Sequence, residues 1–278
     1  MLGSEKQSTR ISQLNFGNAN ISGSVSSGNL TITSVGTNAY LVYTAACTGY
    51  GTTGDPWTYT ANATGTFSVS GNTALLDIFI VGQGGYGGEP SSGGNASGGY
   101  GGAVNYYANV IVPVGTYSIN VPRPELQAAT TVSTAATVLT ATNGYNGYAG
   151  PGNGGNGAGN VAFGPQNING GWGIAWPFGD TVSVPNSQVT PYNSSVLFGA
   201  GGGGIYGANY VYGTTGGDGG TTGGGDGGIP PSGIYTPTDP QFINGTPSLG
   251  AGGGAGVNEI GYNGQGSAGM VVIRHKSS

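Results

Sequence analysis

A mostly apolar run, Leu75-Leu76-Asp77-Ile78-Phe79-Ile80-Val81, empties directly into Gly82-Gln83-Gly84-Gly85-Tyr86-Gly87-Gly88, and a second glycine cluster at 93–102 follows within a few residues. Further glycine blocks stand at 144–159, 170–173, 199–228 and 250–269, so that 62 of the 278 residues are Gly. Glycine loses more backbone freedom on folding than any other residue. Such a chain becomes ordered only if its glycine backbone is tied by hydrogen bonds between segments.

The first block has two readings. Gly82, Gly84 and Gly87 match G-x-G-x-x-G after a strand, the dinucleotide-binding fingerprint. That motif needs a helix to begin there, yet Gly88-Glu89-Pro90-Ser91-Ser92-Gly93-Gly94 holds almost no helix formers and no βαβ unit follows. A P-loop is excluded because there is no G-K-[ST]. The other reading is structural. In steps of three from Gly201, positions 204, 207, 213, 216, 219, 225 and 228 are Gly, and only Tyr210 and Thr222 break the phase. From Gly144 the same test finds Gly147, Gly150 and Gly159 but also Asn153 and Asn156. Three residues per turn is the polyproline II period, so the blocks are either packed helices of that kind or irregular loops.

Charge narrows the function. Five cations, Lys6, Arg10, Arg123, Arg274 and Lys276, stand against ten acids. No basic stripe exists to neutralise phosphates or an anionic bilayer, which excludes nucleic acid and a charged membrane patch as partners. Charged residues make up 5% of the chain and aromatics 10%, the reverse of a disordered composition. Cys47 is alone, so no intrachain disulfide is expected. The first residues carry no secretory signal and no apolar run reaches membrane-spanning length, so no membrane insertion is expected. The expectation is a protein made in a cytoplasm with the neutral, Tyr-rich surface of one that works outside it.

Catalytic constellations are poor. His275, the single histidine, sits near the end of the sequence, so a triad or a His-metal site would rest on a tail, and neither an enzyme nor a cofactor is expected. Asp218 and Asp226 resemble glycine-aspartate nonapeptides that bind Ca²⁺, but their spacing is eight and there is one repeat; solvated turn aspartates are the plainer reading. The N-x-[ST] sequons at Asn20, Asn29, Asn62, Asn95, Asn193 and Asn244 follow from composition.

The fold class expected is all-β with glycine-rich polyproline or polyglycine II-like or irregular segments and essentially no helix, since no stretch keeps a helical apolar period. Alternation around Ser26-Ser27-Gly28-Asn29 predicts a hairpin. A turn at Gly71-Asn72 precedes the strand at 75–81, and Pro113-Val114-Gly115 joins 103–112 to 116–121 as a second hairpin. The stretch 130–142 reads as a strand pair or a short helix, with Thr and Val favouring strands. Residues 270–274 form a closing strand. Residues 1–54 are expected as an N-terminal β segment for docking or assembly, and 55–278 as the glycine-rich β domain.

Tyr86, Tyr100, Tyr145, Tyr148, Trp172, Trp176, Tyr206, Tyr210, Tyr212, Tyr235 and Tyr262 lie in or beside glycine runs. Tyr and Trp on Gly/Ser/Asn loops make a rigid, amphipathic recognition surface; the alternative is that they wedge the glycine layers from within.

The succession of Trp57 to Val69, the strand 75–81, the glycine run, the expected hairpin 103–121, repeated glycine blocks and a final Gly266-Ser267-Ala268-Gly269-Met270-Val271-Val272-Ile273 resembles the glycine-rich domain of bacteriophage tail-fibre proteins. It is similar, more loosely, to tip adhesins of T-even-like phages, whose glycine segments form packed polyglycine II helices bearing variable receptor-binding loops. Val121-Pro122-Arg123-Pro124-Glu125 departs from that pattern, which runs from strand into more glycine. The resemblance implies a virion component made in the host cytoplasm, a fibre or fibre tip. Its implied partners are a host surface glycan or outer-membrane protein, other virion proteins and further copies of itself, with the aromatics above as receptor-binding candidates. A purely structural capsid-decorating or filament subunit, with the same rings filling interfaces, and an ice-binding protein are the alternatives.

Overall fold

A computed structural model gives the fold, and it describes residues 12–16, 19–48, 58–88, 96–147, 157, 170–184, 191–202, 205–206, 215–216, 249–253 and 264–276. The first strands are β1 (Ser12–Phe16), β2 (Ala19–Ser27), β3 (Asn29–Val35), β4 (Asn38–Thr44), β5 (Ala46–Thr48) and β6 (Thr58–Ala61). Next come β7 (Ala63–Gly71), β8 (Ala74–Val81), β9 (Val104–Val112), β10 (Gly115–Val121), β11 (Thr130–Ser133) and β12 (Val138–Ala141). Four two-residue strands follow, β13 (Ile174–Ala175), β14 (Leu197–Phe198), β15 (Ile205–Tyr206) and β16 (Thr215–Gly216), before β17 (Met270–Lys276). Among the described residues the helical content is one 3₁₀ turn, Pro124–Leu126.

Two antiparallel sheets form the body. An outer sheet runs β1-β2-β7-β10-β11-β12 and a central sheet runs β3-β4-β17-β8-β9. Strands from both sides of position 54 share both sheets: β2 pairs with β7, and β4 with β17. Ile21, Phe67, Val69, Ile119, Val121 and Val132 from the outer sheet meet Leu41, Tyr43, Leu76, Ile78, Ile80, Val271 and Ile273 from the central one. The outer strands accordingly alternate buried and open positions, the mark of one covered face. β4, β8 and β17 are buried almost continuously because their second face is covered as well. There Tyr40, Val42, Phe79, Val81, Met270 and Val272 pack under Trp176, Phe178, Val182, Tyr192, Phe198, Leu249 and Ala251. The sheets are also tied by a polar bond: the Tyr43 hydroxyl donates to the Thr66 carbonyl at 2.8 Å.

The hairpins expected at Gly28 and at 113–115 are corners instead. β2 and β3 lie in different sheets, as do β9 and β10, and the turn at 71–72 likewise carries the chain from β7 in the outer sheet to β8 in the central one. Gly28, with φ of 79°, packs against the Ala63 backbone where the chain crosses over. Hairpins among the described residues include β1–β2, β3–β4 across Gly36-Thr37, and β11–β12, which makes 130–142 the strand pair. The closing strand 270–276 is the middle of the central sheet, flanked by β4 and β8.

Past the ends of β8 and β12, and before the starts of β9 and β17, the chain continues as a bundle of glycine segments with a three-residue hydrogen-bond period. The amides of Gly82, Gly85 and Gly88 donate to the carbonyls of Ala103, Tyr100 and Ser97, each at 2.8 Å. Gly84 and Gly87 donate to Ser267 and Gly264, both at 2.8 Å, while Gly144 and Gly147 donate to the carbonyls of Gln83 and Tyr86 at 2.7 and 2.6 Å. One segment thus bonds to three neighbours in rotation, as expected when three residues complete a turn and every peptide group points outward. Gly99 and Gly102 extend the pattern to Gly253 and Gly250, and Gly252 extends it to Ala200. This packing requires glycine: a Cβ on Gly84 would overlap the Ala251 carbonyl. The three amides of the apparent nucleotide fingerprint, at 82, 84 and 87, are all spent inside the bundle, leaving none to cradle a phosphate.

Replacing Gly84 with Ala is expected to lower stability by about 1–3 kcal/mol through overpacking. Gly179, whose Cβ would meet nothing within 4 Å, serves as the control; its Ala variant should stay within about 0.5 kcal/mol of the parent in urea unfolding.

Candidate functional site

The hydrogen-bond rungs orient the bundle. Residues 82, 103, 142 and 269 adjoin the sheets, and Gly88, Ala96, Gly147, Gly202, Gly253 and Gly264 are described ends of bundle segments on the far side. The Gly88 amide meets Ser97, that of Gly87 meets Gly264, and that of Gly202 meets Gly99, so these ends are fixed to each other. The connections 89–95 and 254–263 therefore leave and re-enter at one end, whereas 203–248 leaves there, at Gly202, and returns at Leu249 beside Val81 and Gly82 at the sheet end; within it β15 and β16 pair.

The flank of the bundle carries aromatics. Tyr145 is 76% exposed, with its ring edge-to-face on Tyr100 at 6.1 Å, and Trp172 is 63% exposed. Their backbones are held by the bundle: the Tyr100 amide donates to the Tyr145 carbonyl at 2.9 Å. Tyr86 is half-buried, and its own amide donates to Asn146 Oδ1 at 2.9 Å. Burial, helped by the Glu125 carboxylate, pushes the Tyr86 phenol up to about 12 against a hydrogen bond from Gln265, so it is a neutral hydroxyl at physiological pH. Gln265 Nε2 in turn lies 3.5 Å from Glu125 Oε1. Phenol, amides and one carboxylate side by side can hydrogen-bond a polar ligand, and Tyr145 and Trp172 expose ring faces on the bundle surface.

Trp176 is different. It is 4% exposed, packed against Phe79, Phe178, Tyr192 and Phe198, and its indole N–H donates to the Asp180 carbonyl at 3.0 Å. It is a core residue of the covering layer, not a surface contact. Tyr206 lies on β15. Tyr148, Tyr210, Tyr212, Tyr235, Tyr262, Asp218 and Asp226 lie outside the described residues. Among the described residues no group of three His, Cys, Asp or Glu side chains could hold a metal, and no helix is long and apolar enough to cross a membrane.

A charged cluster at the other end of the covering layer escaped sequence reading. Asp77 is almost fully buried and accepts from Arg274 Nη2 at 2.5 Å, Arg274 Nε at 3.0 Å, Lys276 Nζ at 3.1 Å and the Asn109 amide at 2.8 Å. Burial alone would raise its carboxyl pKa; the Asn109 amide and the two cations outweigh that and hold it below the ordinary range. Arg274 also stacks on Phe178, 4.6 Å from the ring centroid. Asp180 of the covering layer accepts from the Tyr40 hydroxyl and, at 2.8 Å, from Asn38. The cluster clamps the 176–182 stretch to the central sheet. Its signal was available: one aspartate inside an apolar strand, and two of five cations in the last strand. His275, adjacent on β17, is buried, and burial holds its imidazole below the usual value.

No protein-family model matches the chain, and no curated protein matches it in sequence.

Asp77→Asn leaves the Asp180 carboxylate, 4.0 Å away, as the counter-charge of Arg274 and should cost about 3 kcal/mol at neutral pH. Because the folded Asp77 carboxyl titrates below its unfolded value of about 3.9, the contribution is complete above that value and is lost as pH falls through the lower folded one. The stability gap between parent and variant should therefore narrow only below about pH 4, as measured by urea unfolding across pH.

Proposed function

We propose that the protein is a bacteriophage virion component, a tail fibre or fibre tip, that attaches to a host cell surface. The observation that carries this reading is that the connections 89–95 and 254–263 leave and re-enter, and 203–248 leaves, at one end of a bundle whose interior amides are bonded to each other. A rigid pedestal fixes where variable loops begin and end, so their sequences can change without disturbing the core. Tyr145, Tyr100 and Tyr86 around the 143–147 segment, and Trp172 beside the 199–202 segment, supply ring faces and polar atoms for a surface glycan or an outer-membrane protein. The opposite end exposes Leu75, Ile111 and Val114 at 50%, 71% and 55%, an apolar patch suited to mounting on other virion proteins. The same patch favours the structural alternative, a subunit of a capsid decoration or filament in which it joins copies of the chain.

Purified, fluorescently labelled protein is expected to bind host cells and to compete with phage adsorption. Tyr145→Ala combined with Trp172→Ala should weaken binding at least about tenfold, the size of two lost aromatic contacts. Absence of cell binding together with homogeneous self-assembly in micrographs would favour the structural alternative.

A further inference from the structure

A second surface lies away from the bundle, on the open face of the outer sheet. Every outward position of β2 from Asn20 to Ser26, of β7 from Thr64 to Ser70 and of β10 from Thr116 to Asn120 is Ser, Thr or Asn. None of these positions is charged, aromatic or aliphatic. The hydroxyls pair across strands: Ser24 with Thr66 at 3.0 Å, Ser26 with Thr64 at 2.9 Å, Ser68 with Thr116 at 2.8 Å and Ser118 with Ser133 at 2.9 Å. A hydroxyl offers one donor and two acceptor sites, so the Ser24–Thr66, Ser68–Thr116 and Ser118–Ser133 pairs, each sharing one bond, still present one donor and three lone pairs to the outside, while Ser26 and Thr64 are further engaged by the Thr64 carbonyl and by Ser27 and offer mainly lone pairs. The pairing also fixes the rotors, which lowers the entropy a ligand would lose on binding.

The face is indented. β2 shifts register between Val25 and Ser27, and around this bulge Ser24, Ser26, Thr64, Thr66 and Ser118, with Val25, Gly65 and Ile119, line an open depression of about 360 Å³. That falls within the usual range of ligand clefts, about 300–1,000 Å³.

We propose that this depression binds a segment of a neutral polysaccharide, independently of the loop-bearing end. The chemistry selects the occupant. With no cation among the described residues of the face, a polyanion gains nothing there. Its apolar lining is limited to the half-buried Val25 and the buried Ile119, so an apolar peptide finds little to bury. A neutral sugar chain carries hydroxyl donors and acceptors at close spacing and loses little solvation to a surface of the same kind.

The test is affinity electrophoresis of the full chain through gels containing dextran, laminarin or hydroxyethylcellulose, with alginate as the charged control. Retardation is expected in at least one neutral gel, with none in alginate. Thr64→Val with Thr66→Val keeps the side-chain shape and the strand propensity while removing two hydroxyls, and should weaken retardation at least about fivefold; circular dichroism and urea midpoints check that the fold is retained. Tyr145→Ala with Trp172→Ala should leave retardation unchanged, which separates this site from the proposed receptor surface. Migration unaffected by all three neutral polymers, equal retardation in alginate, or an undiminished valine variant would each overturn the proposal.

Discussion

The fold depends on where glycine amides find their carbonyls. A glycine segment in water gains little from ordering, because solvent satisfies its backbone and no side chain is buried. The central sheet alters that balance. β8 and β12 deliver their following residues, and β9 and β17 receive their preceding ones, at fixed places, so the first rungs, such as Gly82 to Ala103 and Ala103 to Thr142, form as an extension of strand pairing. Each later rung, three residues on, then adds bonds with little further loss of freedom.

The segments differ by their position in the bundle. In 82–88, two of the three phases are Gly, at 82, 85, 88 and at 84, 87, and the third carries Gln83 and Tyr86. In 97–103 the Gly phases are 98, 101 and 99, 102, and the third holds Ser97, Tyr100 and Ala103. A segment with close neighbours on two sides tolerates side chains only along its remaining edge. At 143–147 one phase alone, Gly144 and Gly147, is Gly, and Asn143, Tyr145 and Asn146 occupy the other two. The candidate surface is therefore a consequence of packing, since the aromatics emerge where a segment reaches the edge. The covering layer works the other way. Its rings at 176, 178, 192 and 198 sit over Phe79, and the Asp77–Arg274 clamp holds one margin in place.

Much of the architecture was readable in the residues. Continuous apolar runs marked β8 and β17, and their burial on both faces explains why those runs do not alternate. The all-β class followed from the lack of a helical apolar period, and Thr and Val at 130–142 favoured the strand pair over a short helix. The corners at Gly28 and at 113–115 were not legible, because alternation and a turn residue say that a strand ends without saying which sheet the next one joins. The period of three was sought at 201–228, which for the most part lies outside the described residues, and from Gly144, where Gly144 and Gly147 are ladder donors but Asn153 and Asn156 break the phase; in 82–88 and 97–103 two Gly phases overlap and obscure a single one. Trp176 was grouped with surface aromatics because it neighbours glycine; only the tertiary contact with Phe79 separates it from Trp172.

The central claim is that glycine amides three residues apart are held by one neighbouring segment and those two apart by different ones. Native-state hydrogen exchange read residue by residue by NMR tests it directly. The amides of Gly82, Gly84, Gly85, Gly102 and Gly144 should exchange as slowly as those of β8 and β17, with protection lost only in global unfolding. Exchange of these glycines at the rate of an unstructured chain, with β8 and β17 still protected, would contradict the bundle while leaving the sheets intact.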